Sequence, residues 1–300
     1  MNVEVGPLKL RNPIMTASGT FGMGSEMERF FDLKIPGAVV LKTITYHPRK
    51  GNAPPRLAET PSGLLNSIGL PNPGVKEFVK NYLPSLVGKA SCLIVNFAGE
   101  REEEFPKTAA LLDGKEGVDA LEINLSCPNV AQGRLPFSKD PAVVEKIVRE
   151  VRKTTALPLL AKLSPNVDDI VVMAHAAMEG GADGVTLINT LLGLSVCWKS
   201  RKPRLSTVFG GLSGPAIKPV ALRMVHEVWR ELKAPIVGVG GITDEDDVMD
   251  FLVSGACAVQ IGTATFSDPL TIPAIIEKLK ALMAETKYKS IDAVIGTLEY

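Results

Sequence analysis

The sequence predicts an α/β fold of eight strand–helix units closed into one barrel, and three observations carry that prediction. Short apolar runs rich in β-branched residues recur along the chain, segments with helical apolar spacing lie between them, and the runs end at Gly, Ser, Asn or Pro. A length of 300 residues suits one barrel of about 250 residues with additions, although length alone also permits two domains. An open doubly wound sheet shares the same periodicity and is the competing architecture.

The eight predicted strands are PIMTASG (13–19), AVVLKT (38–43), CLIVNFAG (92–99), ALEINLS (120–126), LLAKLS (159–164), GVTLINT (184–190), IVGVGG (236–241) and AVQIGT (258–263). Helical spacing appears at 140–154, 166–181, 214–232 and 243–255. Two of these helices open on an Asp or Thr suited to capping, Asp140 and Thr243, and two run into glycines. Ahead of the first unit, VEVGPLKL reads as a hairpin around Gly-Pro that plugs the barrel floor. Long excursions at 44–73 and 191–213 are expected as loops over the C-terminal face, and 129–140 and 191–213 are candidate lids. The whole chain, 1–300, reads as a single domain.

Composition narrows the function. Hydrophobic residues make up 45% and charged residues 22%, which describes a globular chain able to bury a core. The 33 basic and 33 acidic residues balance, so no overall field draws in nucleic acid or an anionic membrane, and an anionic ligand must be caught locally. No run approaches the ~18 apolar residues of a membrane span, and the N-terminus lacks a signal-peptide pattern, so a cytoplasmic location is expected. Cys92, Cys127, Cys197 and Cys257 are dispersed without CxxC pairing, as are His47, His175 and His226, which argues against metal, cluster or disulfide scaffolds.

Active sites of such barrels gather at the C-terminal ends of the strands. Those ends offer Ser18, Lys42 with Thr43, Asn96, Asn124 followed by Cys127 and Asn129, Lys162, Asn189 with Thr190, Gly240 with Gly241, and Gly262 with Thr263. A lysine in an apolar strand is costly to bury unless it meets an anion. Two occur, Lys42 and Lys162, and with no acidic partner expected at the other strand ends they point to an anionic ligand. The glycine endings of the last two strands suit a phosphate held by bare backbone. Asparagines at 66, 96, 124, 129 and 189 suit a planar heterocycle with imide edges, such as a flavin or a pyrimidine. Cys127, in the turn NLSCPN, is the acid–base candidate, since a thiol near pKa 8.5 needs little tuning. Cys92 and Cys257 read as buried apolar residues, and Cys197 as a loop thiol.

These motifs, in this order, resemble the class 1 dihydroorotate dehydrogenases over nearly the whole chain: NPIMTASGTFG (12–22), KTIT with PRKGNAPPR (42–56), ETPSGLLNSIGLPNPG (59–74), INLSCPN (123–129), AKLSPN (161–166), INTLLG (188–193), GGLSGPAIKP (210–219), GVGGI (238–242) and QIGTA (260–264). The resemblance implies FMN bound by Ser18, Lys42, Thr43, Asn96, Asn124, Lys162 and Ile188, with Gly214, Gly240, Gly241, Gly262 and Thr263 around its phosphate side. It implies orotate held by Lys42, by Asn66, Ser67, Ile68, Gly69 and Leu70, and by Asn124, Asn129, Asn189 and Thr190. Cys127 takes the family's base position, where a serine would point to the membrane-associated, quinone-using class. Dihydroorotate loses a C5 proton, here to Cys127, and a C6 hydride to the flavin N5, while Lys162 is assigned to the flavin edge that gains negative charge.

The wording of TPSGLLNSIGL, NTLLG and GGLSGPAIKP is most similar to the NAD-linked class 1B catalytic subunit. The barrel begins within a few residues of Met1, so no amphipathic extension for quinone access is expected. The chain also lacks a GxGxxG fingerprint and cluster-forming cysteines. The resemblance therefore implies a partner electron-transfer subunit carrying FAD and a 2Fe–2S cluster, around a homodimer of barrels in a heterotetramer. Three alternatives stay open: a fumarate-using class 1A enzyme, a flavin barrel that reduces uracil-type rings, and a non-redox phosphate-binding barrel acting as isomerase or aldolase.

Overall fold

A computed structural model describes residues 1–126 and 139–300. The chain opens with the antiparallel hairpin β1 (Val3–Val5) and β2 (Leu8–Leu10), which buries Val3, Val5, Leu8 and Leu10. Gly6 makes the turn at φ +57, and a Cβ there would sit 2.6 Å from the Asp183 carbonyl. The hairpin thus lies against the N-terminal end of the strand that follows Asp183, at the floor as expected.

The remaining strands, in chain order, are β3 (Ile14–Thr16), β4 (Val39–Val40), β5 (Ile44–Thr45), β6 (Leu57–Thr60), β7 (Gly63–Asn66), β8 (Leu93–Ala98), β9 (Ala120–Asn124), β10 (Leu159–Lys162), β11 (Gly184–Leu187), β12 (Leu191–Leu194), β13 (Val196–Cys197), β14 (Lys202–Pro203), β15 (Phe209–Ser213), β16 (Ile236–Val239) and β17 (Ala258–Ile261). Eight of them pair in parallel in the order β3-β17-β16-β11-β10-β9-β8-β4. The ring is closed by a parallel bridge between Met15 and Ala38. Thr16 secures the same seam, donating from Oγ1 to the Val40 carbonyl at 3.1 Å and accepting from the Val40 N–H at 2.7 Å. Closure decides for the (β/α)8 TIM barrel and against the open sheet. Each ladder is shorter than its apolar run, because the polar residues that end the runs have already left the sheet for the rim.

The helices are α1 (Val75–Glu77), which continues as a π turn over Phe78–Tyr82, then α2 (Glu104–Leu112), α3 (Pro141–Arg152), α4 (Ile170–Glu179), α5 (Lys218–Leu232), α6 (Glu245–Val253), α7 (Ala264–Ser267) and α8 (Thr271–Glu285). Asp140 caps α3 as expected, through the Ala142 N–H. Asp169 caps α4 through Val171 and Val172, so that helix starts four residues inside its sequence pattern. The cap of α6 is Asp244 rather than Thr243, whose hydroxyl instead donates to the Asp247 carboxylate at 2.7 Å. Among the described residues no helix is long and apolar enough to cross a membrane.

The two excursions expected as loops pair with each other. Strands β12, β15, β7 and β6 form an antiparallel sheet in that order, with Leu191 opposite Leu212, Gly211 opposite Asn66, and Asn66 opposite Leu57. A small separate core of Ala58, Leu65 and Leu205 supports it. The candidate lid at 191–213 is therefore largely sheet, while residues 129–138 of the other candidate lie outside the described residues.

Candidate active site

A cavity of about 780 Å³ opens at the C-terminal ends of the barrel strands. On one wall, Ser18 after β3 and Thr43 after β4 share a hydroxyl hydrogen bond of 3.2 Å. Lys42 lines the same wall, its backbone N–H held by the Gly22 carbonyl at 2.9 Å. Burial pulls its pKa below the usual lysine value, the charge of Glu26 opposes that, and Arg56 adds to it. Among the described residues no carboxylate lies within ion-pairing distance of its ammonium group.

Asn66, Ile68 and Leu70 line the front of the cavity, whereas Ser67 and Gly69 between them do not. Ser67 and Gly69 are instead held by the flanking loop. Ser67 Oγ accepts from Asn52 Nδ2 at 2.8 Å, and the Gly69 carbonyl accepts from Arg49 Nε at 3.3 Å. Leu70 sits at φ +52, and its carbonyl is held by Asn72 Nδ2 at 2.9 Å. Asn72 is a buried brace that the sequence reading did not single out; it also bonds Thr45 and Gly74.

Asn124 and Asn189, at the ends of β9 and β11, meet across the rim, Asn189 Nδ2 donating to Asn124 Oδ1 at 3.3 Å. Thr190 follows, and its N–H donates to Asn189 Oδ1 at 2.8 Å. Asn124, Asn189, Thr190 and Ile188 all line the cavity. Cys127 and Asn129, the expected base and its neighbouring ligand, lie outside the described residues.

At the far end Gly214, Gly240, Gly241, Gly262 and Thr263 form the lining. Gly214, Gly240 and Gly241 have φ of +93, +134 and +78, a region that favours glycine. A Cβ on Gly241 would come within 2.8 Å of Lys218 Cβ and 3.0 Å of the Gly214 carbonyl. Thr263 Oγ1 is steered by a 2.8 Å bond to Ser213 Oγ.

The floor corrects one expectation. Lys162 does have an acidic partner: Glu122 of β9, fully buried, lies 3.9 Å from its Nζ. Lys162 also donates to Gln260 Oε1 at 2.8 Å. Burial lowers its pKa and the charge of Glu122 opposes the shift. Asn96, 0% exposed, donates from Nδ2 to Glu122 Oε1 at 2.7 Å, and among the described residues its Oδ1 has no partner. Asn96 and Lys162 thus sit beneath the lining rather than in it. Glu122, Gln260 and Thr186 were missed, yet a signal existed: strand residues two apart share a face, and Glu122 precedes Asn124, and Gln260 precedes Gly262, by two.

Of the other thiols, Cys92 is buried, with its pKa pushed up to about 12 by burial and by Asp119, and Cys257 is likewise pushed up by burial. Neither is a base near neutral pH. Cys197 lies in β13, where hydrogen bonding with Ser200 lowers its pKa.

A closed βα barrel whose strand ends bring lysine, amide and bare-glycine surfaces around one cavity defines the class: a TIM-barrel enzyme built around a planar, phosphate-bearing ligand. The sequence profile of the dihydroorotate dehydrogenase family matches residues 1–283, and the chain belongs to that family. Among its relatives, the "Dihydroorotate dehydrogenase B (NAD(+)), catalytic subunit" of Geobacter sp. (strain M21) is 47% identical, the alignment covering 100% of this chain and 98% of the relative. Proteins with the same description from Maridesulfovibrio salexigens and Thermoanaerobacter pseudethanolicus are each 48% identical, over 100% of this chain and 98% and 99% of theirs.

Proposed function

We propose that the chain, residues 1–300 acting as one unit, oxidises dihydroorotate to orotate in pyrimidine biosynthesis with FMN as its cofactor. The observation that carries this reading is the convergence, in a chain of this family, of Lys42, Asn66, Asn124, Asn189 and the glycine-lined end on one cavity. Two features fit FMN in particular: the buried Asn96 Oδ1, without a partner among the described residues, can accept from a ring N–H, and the positive-φ glycines Gly214, Gly240 and Gly241 line the cavity with bare backbone suited to a phosphate.

Ser18, Lys42, Thr43, Asn96, Asn124, Lys162 and Ile188 would hold the ring system, and Gly214, Gly240, Gly241, Gly262 and Thr263 the phosphate. When bound, FMN supplies the hydride acceptor for C6 of the substrate. Cys127 removes the C5 proton, acting as thiolate base. Lys42 orients the substrate carboxylate by charge, and Asn66, Asn124, Asn129, Asn189 and Thr190 match the ring amides, with Ser67 to Leu70 shaping the enclosing edge. Lys162 holds positive charge toward the ring edge that becomes electron-rich. A partner subunit bearing FAD and a 2Fe–2S cluster would supply the route by which the electrons reach NAD. This reading is supported by the relatives' description and by the absence of a nucleotide fingerprint in the sequence. A homodimer of barrels at the core of a heterotetramer, in the cytoplasm, completes the reading.

The test is anaerobic addition of dihydroorotate to the purified, FMN-replete chain. Loss of the flavin's visible absorbance is expected; an unchanged spectrum overturns the assignment.

A further inference from the structure

The barrel centre holds a carboxylate to which the chemistry above gives no task. Glu122 is fully buried and takes three donors: Asn96 Nδ2 at 2.7 Å on Oε1, then Thr186 Oγ1 at 2.8 Å and Gln260 Nε2 at 2.6 Å on Oε2. These come from β8, β11 and β17, so one side chain ties together strands spread around the ring. Lys162 of β10 stands 3.9 Å away and donates to the far end of the same Gln260 amide at 2.8 Å.

A carboxylate only accepts hydrogen bonds, so any amide touching it must turn its NH2 inward. Both amides therefore have a fixed polarity. Gln260 is left with its oxygen toward Lys162, and Asn96 with its oxygen unpartnered among the described residues. An unpartnered buried carbonyl costs free energy that a ligand N–H would recover. Burial alone also disfavours the charged form of Lys162, and Glu122 is the carboxylate that offsets it. Among the described residues the groups facing Lys162 and Glu122 from β8, β11 and β17 are the neutral Asn96, Thr186 and Gln260. Lys42, which lines the cavity, responds to Glu26 and Arg56 instead.

We propose that Glu122 is a positioning residue: from the centre of the barrel it fixes which way the Asn96 and Gln260 amides face, and it supplies the counter-charge that keeps Lys162 an ammonium. It acts through these three side chains and does not itself line the cavity. The layer beneath the cavity therefore holds a cation and an acceptor of set orientation while carrying no net charge of its own. The inference deepens the proposed function and rests on it for the identity of the ligand, but the protonation of Lys162 is a property of the chain.

The test follows Lys162 by NMR of 13C-labelled lysine side chains, in FMN-replete and FMN-stripped protein, for the parent, Glu122→Gln and Lys162→Met, the last assigning the signal. FMN dissociation constants are measured across pH on the same preparations. The parent is expected to show Lys162 as an ammonium at neutral pH. In Glu122→Gln its titration moves to lower pH, and FMN binding weakens with rising pH, by roughly 10-fold or more as the charged contact is lost. In the Lys162→Met background the Glu122→Gln change adds no further pH dependence, which a merely structural role would not predict. An unshifted Lys162 titration in Glu122→Gln overturns the inference. If that variant does not fold, the parent decides: a neutral Lys162 amine near pH 7 overturns it, and an ammonium supports it. A parent that takes up no FMN refutes the proposed function instead, and the lysine titration in the unliganded chain still decides the role of Glu122.

Discussion

Lys42 and Lys162 occupy like positions in the sequence, each near the end of an apolar strand, yet the fold treats them differently. Lys162 is buried beneath the cavity and is tied to Gln260 and to the carboxylate of Glu122. Lys42 lines the cavity, and among the described residues it has no carboxylate within ion-pairing distance. One cation is already answered by the protein; the other waits for an anion from outside. Binding and positioning thus divide between two lysines that periodicity alone cannot tell apart.

The largest effect sets the scale for both. Cys127→Ala belongs to neither lysine's surroundings, and it is expected to slow flavin reduction by dihydroorotate about 10²- to 10⁴-fold while FMN is retained, as loss of a general base does. Stopped-flow absorbance measures it, and unchanged kinetics would remove Cys127 from the chemistry.

Lys162→Met comes next, because it strands Glu122 in the core without its counter-charge. Breaking a buried pair from one side costs about 3–5 kcal/mol, readable as a lower denaturant midpoint. The double variant Lys162→Met/Glu122→Gln should recover part of that loss. Equal stability of the single variant and the parent would dissolve the contrast between the lysines.

For Lys42→Met the balance reverses. Folding stability should change by no more than about 1 kcal/mol, since a desolvated cation is removed, while affinity for orotate falls about 10- to 100-fold with the loss of a charged hydrogen bond. A stability loss matching that of Lys162→Met would place Lys42 in the scaffold instead.

The smallest effect is a pH slope. Both lysines have folded-state pKa values lowered from 10.5 by burial. Between the lowered value and 10.5 the unfolded chain binds more protons, so unliganded stability rises with pH through that window and is level, at its lower value, below it. An anion at Lys42 raises its pKa toward the ordinary value and should flatten its share of the slope. Denaturant titrations at several alkaline pH values, with and without orotate, would show it; a slope indifferent to orotate would argue that the anion binds elsewhere.

Much of this was legible because barrel strands announce themselves. Continuous apolar runs locate all eight, and their polar ends locate Ser18, Lys42, Asn124, Asn189 and the glycines that line the cavity. What escaped was non-local or disguised. Pairing of β7 with β15 joins residues about 145 positions apart in sequence, such as Asn66 and Gly211, and no local pattern encodes such a partner. Pro106 obscures α2, although it falls in the first turn, where a missing N–H costs no helical bond. The spacing of TIPAIIEKLKALMAE also went unremarked before the structure showed α8. Glu122 hid within ALEIN because a lone acid in an apolar strand reads as a solvent-facing position. Only closure of the ring turns that face inward, toward Asn96, Thr186 and Gln260.

The most direct measurement is a titration of orotate into the FMN-loaded chain, followed by the flavin's absorbance, in the parent and in Lys42→Met. The account predicts a saturable spectral shift in the parent and the same shift at much higher orotate concentration in the variant. A parent spectrum that ignores orotate, or a variant that binds it as tightly as the parent, would contradict the claim that this cavity seats the pyrimidine against the flavin through Lys42.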